Sequence, residues 1–120
     1  DENRILLASG GDDNAIHLYI LIEDFDTFKT THKLIICNFH CSLISGLLIE
    51  DKYVISVSID HRITLSSWEV NGPNLESRFV YQTYSDVADI QGVNIIDKSG
   101  ESLTACVYGQ GIEVVKIPLK

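Results

Sequence analysis

Cys37, His40 and Cys41 bring two thiols and an imidazole within five residues of each other. Thiolate and imidazole are the usual zinc ligands, and a Cys/His pair is also the minimal nucleophile and base of acyl-transfer chemistry. The spacing matches no standard zinc knuckle, and no fourth ligand is apparent nearby. Gly109-Gln110-Gly111 has the glycines of a phosphate-cradling loop, but a strand-like run follows it where a helix is needed, and the Lys-Ser/Thr of a P-loop is missing. The context fits a hairpin turn. Asp12-Asp13 would serve as an acid pair or calcium ligand, yet the EF-hand pattern is absent and two aspartates beside Gly10-Gly11 and Asn14 suit a tight turn. Gly-x-Ser-x-Gly does not occur. These residues therefore point away from an enzyme and imply no metal and no cofactor.

The elements that carry them repeat. A short apolar run at residues 4–9, a tight turn at 10–14 and an alternating run at 15–21 (Ile16, Leu18 and Ile20 against His17, Tyr19 and Leu21) read as a β-hairpin. The same grammar returns at 52–58, turn 59–61 and 62–70, with Ile63 and Leu65 in the places of Ile16 and Leu18. It returns again at 102–108, turn 109–111 and 112–117. Asp13 and Asp60 are 47 residues apart and Asp60 and Gln110 are 50 apart, a period that signals stacked supersecondary units.

Further strands are expected at 33–39 with 43–49 and at 78–84 with 87–96, so each period holds four strands. Their dense apolar runs, Leu34-Ile35-Ile36 and Leu47-Leu48-Ile49, suit sheets covered on both faces. Residues 22–32 read as a long polar loop, and Asn71-Gly72-Pro73-Asn74 as a turn.

At Ser9-Gly10-Gly11-Asp12-Asp13-Asn14-Ala15-Ile16-His17-Leu18-Tyr19 the chain resembles the most recognisable stretch of a WD repeat, with Tyr19 where that family usually has Trp. The stretch from His40 through Trp68 resembles a whole repeat. The resemblance implies an all-β fold, a fragment of a WD-repeat β-propeller of about two and a half four-stranded antiparallel blades. It places a blade remnant at 4–39, a complete blade at 40–84 and an incomplete last blade at 85–118. The first lacks its innermost strand and the last its outer one, while a propeller has roughly 4 to 8 blades. The expectation is that the chain is the C-terminal part of a longer polypeptide, the rest of which completes the propeller.

The resemblance also implies which residues lock each blade: Asp13 in the first, and His40, Ser58 (or Ser56) and Asp60 in the second, joined by buried hydrogen bonds. Ser66 falls where the family's Trp is expected, with Trp68 two positions later. In the third copy Asp86 replaces the opening histidine and Gln110-Gly111 the aspartate, so packing is expected to hold it. The turns and connections at one rim should gather Asp12, Asn14, Asn38, His61, Arg62, Tyr84, Asp86 and Gln110 as a partner-contact surface.

A narrower resemblance covers residues 86–93 (Asp-Val-Ala-Asp-Ile-Gln-Gly-Val) and 107–114 (Val-Tyr-Gly-Gln-Gly-Ile-Glu-Val). These are similar to the C-terminal end of the WD-repeat partner of the tRNA ribose 2′-O-methyltransferase acting at the anticodon wobble position. That implies a non-catalytic scaffold subunit whose partner, the methyltransferase catalytic subunit, holds the methyl donor. A generic WD-repeat adaptor in trafficking or signalling is the alternative.

Composition bounds these readings. Seventeen acidic residues against nine basic ones give a net charge of −8, which makes the segment a poor phosphate binder. Contact with tRNA is then expected through the complex. No apolar run approaches the roughly 20 residues of a membrane span, and Asp1-Glu2-Asn3-Arg4 lacks the pattern of a secretory signal. Three cysteines at irregular spacing suit a reducing compartment. A cytoplasmic protein without a membrane partner is expected.

Overall fold

β-Branched and apolar residues alternating between turn signals commit the chain to strands, and the computed structural model, which describes residues 4–119, contains ten of them. Asp1, Glu2 and Asn3, where a secretory signal was sought, lie outside the described residues. The strands are β1 (Arg4–Gly10), β2 (Ile16–Asp24), β3 (Thr27–Ile36), β4 (Ile44–Glu50), β5 (Tyr53–Ser58), β6 (Arg62–Asn71), β7 (Asn74–Tyr84), β8 (Gly92–Lys98), β9 (Ser102–Gly109) and β10 (Gly111–Pro118). Among the described residues there is no helix, and so none long and apolar enough to cross a membrane. The fold is all-β, in three small antiparallel sheets of order β1-β2-β3, β4-β5-β6-β7 and β8-β9-β10.

The middle sheet is a complete four-strand meander. Strand for strand, β1, β2 and β3 correspond to β5, β6 and β7, and β8, β9 and β10 to β4, β5 and β6. Among the described residues the first sheet therefore has no counterpart of β4 and the third none of β7, so that β1 and β10 form edges of their sheets.

The sheets stack in one sense. Pleating sends alternate residues to opposite faces. On β5, Val54 packs toward the first sheet with Ile16, Leu18, Ile20, Ile36, Ile44 and Leu75, while Ile55 and Val57 pack toward the third with Leu65, Leu103, Ala105 and Val107. Side chains on both faces of the middle sheet are thus buried. The end sheets each bury one face and bare the other: Ile5, Leu7 and Ile35 at one end, Ile96, Ile112 and Val114 at the other are exposed.

Glycines let the first strands of the sheets converge. An added Cβ at Gly46 would lie 2.7 Å from Val57 Cγ2 and 2.8 Å from the Gly92 Cα, and one at Gly10 would lie 2.6 Å from Ile44 Cγ2. Backbone Cα cannot yield as a flexible side chain does, so Gly46→Val should cost about 1–3 kcal/mol by overpacking. Chemical denaturation checks this; an unchanged midpoint would mean that β4 and β8 are not in close contact. Farther out, His32 Nε2 meets the Gly72 carbonyl at 3.0 Å, tying β3 to the β6–β7 turn.

Two expectations about elements are corrected. Residues 22–32 form no long loop: β2 and β3 pair through Asp24 and Thr27 around a two-residue turn, Phe25-Asp26, with Phe25 at φ 59°. β8 begins at Gly92 and not at Val87, and the irregular segment before it still supplies Val87 and Ile90 to the core.

Candidate functional site

The β5–β6 turn is built by Asp60. Its carboxylate accepts the backbone N–H of Arg62 at 2.9 Å on Oδ1 and of Cys41 at 2.7 Å on Oδ2, and so ties the turn to the segment that enters β4. His61, in the left-handed region at φ 70°, closes the turn by donating its N–H to the Ser58 carbonyl.

His40 lies inside this corner with its side chain fully buried. Its Nδ1 lies 3.3 Å from Asp60 Oδ2, and its Nε2 lies 2.8 Å from Ser56 Oγ. A carboxylate can only accept, so Nδ1–H donates to Asp60, and Nε2 accepts the Ser56 hydroxyl. Ser58, the serine named for this role, is two residues nearer the turn, level with Ile44. There its hydroxyl donates to the Leu43 carbonyl at 2.6 Å and leaves the imidazole to Ser56. The chain of bonds stops at Ser56. Trp68 Nε1 donates to the Asp51 carbonyl near the opposite end of the sheet, and Ser66 Oγ lies 3.5 Å from the Val54 carbonyl.

Ser56, His40 and Asp60 have the connectivity of a hydrolase triad, and burial decides against that use. Ser56 is 1% exposed, on the face that the first sheet covers, so no acyl group can reach its hydroxyl. Both nitrogens of His40 are engaged, while Cys37 and Cys41 are exposed free thiols. The described residues contain no group of three or more potential metal ligands.

Burial holds His40 below its ordinary value, and that effect outweighs the attraction of Asp60. Burial pushes Asp60 up, but the N–H groups of Cys41 and Arg62 together with His40 bring it below the usual carboxylate range. The two shifts act in separate pH windows. The unfolded chain takes up a histidine proton near 6.5 while folded His40 resists it, so stability is full above about pH 6.5 and falls as pH drops below it. Asp60 contributes fully above about pH 3.8, and its share is lost as pH falls through the folded value below that. Urea midpoints measured between pH 7.5 and 5 should decline, and they should decline less in a His40→Gln variant.

The other expected residues gather at the same end of the sheets. Asp12, Asp13 and Asn14 are in the β1–β2 turn, Asn38 in the connection to β4, His61 and Arg62 at the β5–β6 turn, Tyr84 and Asp86 before β8, and Gln110 in the β9–β10 turn. The β1–β2 and β5–β6 turns each touch the connection entering the next sheet. Ile44 N–H donates to the Gly11 carbonyl at 3.1 Å, and His61 Nδ1 donates to the Ser85 carbonyl at 2.9 Å while its own carbonyl accepts Ser85 N–H. Arg62 Nη1 reaches the Phe39 carbonyl at 3.3 Å, and Gln110 Nε2 donates to Asp89 at 2.8 Å. Asp13 accepts Ala15 N–H at 3.1 Å and the His17 ring at 3.0 Å, and the His17 bond holds its carboxyl below the usual range.

The third sheet has a polar corner where packing alone was expected. Glu113 Oε1 accepts the Ser85 hydroxyl at 2.6 Å and the Asp86 N–H at 3.3 Å, and Ser85 Oγ accepts Val87 N–H at 3.1 Å. A signal was present in the sequence: Glu113 falls in phase with Val115 and Ile117, on the core-facing side of β10.

A cleft of about 1330 Å³ runs along the outer strands β3 and β7, where the rings of Phe39 and Phe79 meet edge to face at 5.9 Å. Its lining does not include His40, Ser56 or Asp60. Compared with family models and with curated protein sequences, the chain matches none.

Proposed function

We propose that the three sheets are successive blades of a WD-type β-propeller and that the chain works as a non-catalytic scaffold. The observation that carries this is the Asp60–His40–Ser56 corner on a four-stranded antiparallel meander whose neighbours stack on it in the same sense. A sheet that buries both faces, between two sheets that each bury one, is the local arrangement of a radial repeat. The bare faces at Ile5, Leu7 and Ile35 and at Ile96, Ile112 and Val114 would then meet further blades of the same propeller.

The partner we propose is the catalytic subunit of the wobble-position tRNA ribose 2′-O-methyltransferase, in the cytoplasm. Support for this choice is the resemblance of residues 86–93 and 107–114, which include Asp86 and Glu113 of the third corner. With a charge of −8 the segment offers little to phosphates, so tRNA would be held by the partner or by other surfaces. Docking would use the turn-bearing rim, where Tyr84 and Asp86 stand exposed.

The test is affinity capture of the full-length protein followed by mass spectrometry of bound proteins and sequencing of bound RNA. A ribose methyltransferase recovered with tRNA is the expected result. Enrichment of other proteins without it would overturn the methyltransferase pairing and favour an adaptor role. S-adenosylmethionine-dependent methylation by the purified chain alone would overturn the non-catalytic reading.

A further inference from the structure

The β2–β3 and β6–β7 turns are the same turn written with different residues. Offset by 47, Asp24 and Thr27 close the first as Asn71 and Asn74 close the second, with two residues between the paired strands in each. Phe25 at φ 59° stands where Gly72 does at φ 63°, and Asp26 stands where Pro73 does. In both turns only the first of the two residues has a positive φ, which is the position where a hairpin turn of this kind takes glycine. A phenylalanine there strains the backbone, because in the left-handed region its Cβ crowds the following carbonyl.

The ring gains no burial within the chain in return. Phe25 is 95% exposed, and Phe28, next to the turn on β3, is 58% exposed. A further sheet stacked on the first would not cover Phe25 either. Gly72 belongs to the sheet that has a neighbour on each face, and a Cβ built on it still meets nothing within 4 Å, so this turn position projects clear of the stack. The tip is also held in shape: β2 and β3 stay paired up to the turn, and Thr27 Oγ1 donates to the Asp24 carbonyl at 3.0 Å. A ring held this way loses little freedom when a partner buries it.

The charge around the ring selects among partners. Glu23, Asp24 and Asp26 flank Phe25, Lys29 is the one cation between residues 22 and 31, and none of the three carboxylates is in an ion pair among the described residues. This acidic collar, on a chain of net charge −8, opposes a second copy of the chain, an anionic lipid surface and nucleic acid alike. It complements a basic rim.

We infer that the β2–β3 hairpin is a docking tip whose Phe25 ring, with Phe28 beside it, enters an apolar pocket rimmed by lysine and arginine on a partner protein. The carboxylates speed and orient the encounter, and the ring supplies the anchoring burial. The tip lies at the end of the sheets opposite the β1–β2, β5–β6 and β9–β10 turns, so it is a second surface, separate from the rim assigned above to the methyltransferase subunit, and it stands whether or not that assignment does.

The test places p-benzoylphenylalanine at position 25 of the full-length protein, irradiates it in cells and identifies the cross-linked peptide by mass spectrometry. The expected result is one partner protein, joined within an apolar stretch that lies next to lysines or arginines. That protein, once purified, should bind the Phe25→Gly variant roughly thirtyfold more weakly than the native chain, the loss of a buried aromatic anchor. Reversing the collar with Asp24→Lys and Asp26→Lys should slow association and weaken its salt dependence. The urea midpoint of Phe25→Gly should be unchanged or higher, because glycine relieves the turn. A lower midpoint would mean that the ring holds the turn together, and would overturn the proposal. A cross-link only to the same polypeptide, no cross-link, or equal binding by Phe25→Gly would overturn it too. Binding of the native chain, but not of Phe25→Gly, to phosphatidylcholine–phosphatidylserine vesicles would overturn it in favour of a membrane.

Discussion

His40→Ala should lower the free energy of unfolding by about 2–4 kcal/mol, measured by urea denaturation at pH 7.5. The ring makes two hydrogen bonds, and removing it leaves the Ser56 hydroxyl without its acceptor in a site that is 1% exposed and the Asp60 carboxylate with one donor fewer. Stranding a buried hydroxyl costs about 1–3 kcal/mol, and depriving a partly buried charge of a partner adds to it. Ser56→Ala leaves His40 Nε2 without its donor but keeps the bond between His40 and Asp60, so it should cost less, about 1–2 kcal/mol. The ratio of the two losses is diagnostic: if Ser56→Ala costs as much as His40→Ala, the imidazole is not the centre of the corner.

Leu65→Ala should be at least as damaging, at about 2–5 kcal/mol. Leu65 is fully buried on β6 within the cluster that joins the middle and third sheets, beside Ile55, Ile63 and Val107. Backbone ladders on both sides of β6 prevent the walls from collapsing into the space a truncated side chain leaves. Because the third sheet has only three strands and is anchored largely through this cluster, the variant should also increase hydrogen exchange in β8 and β9 more than in β2. A loss below about 1 kcal/mol, or exchange rising equally in all three sheets, would contradict a core divided between two sheet interfaces.

The strands were legible where burial imposes a period on the residues. Ile16, Leu18 and Ile20 alternate because one side of β2 faces the middle sheet, and Ile63 and Leu65 alternate on β6 with the buried hydroxyls of Thr64 and Ser66 because their side packs against the third sheet. Where the chain extends past the core, the period vanishes. Residues 23–31 pair as the ends of β2 and β3, yet Glu23, Asp24, Lys29 and Thr30 face solvent and carry no alternation, and the Phe25-Asp26 turn lacks the glycine or asparagine that marks a hairpin. The opposite error arose at Val87 and Ile90, which are apolar because they fill the core from an irregular segment.

The corner was legible in kind but not in detail. The resemblance to a WD repeat put His40 and Asp60 in one corner, while the choice between Ser56 and Ser58 depends on the depth at which the ring enters the sheet, which only register decides. Glu113 went unread because its partners, Ser85 and the Asp86 amide, are 28 and 27 residues away.

The central claim is that these sheets are part of a longer radial stack, and sedimentation velocity on residues 1–120 alone tests it most directly. Among the described residues the apolar faces bared by the two end sheets, with Ile112 72% exposed, predict concentration-dependent association and strong binding of a hydrophobic dye. A monodisperse, dye-silent monomer across the same concentrations would contradict the claim.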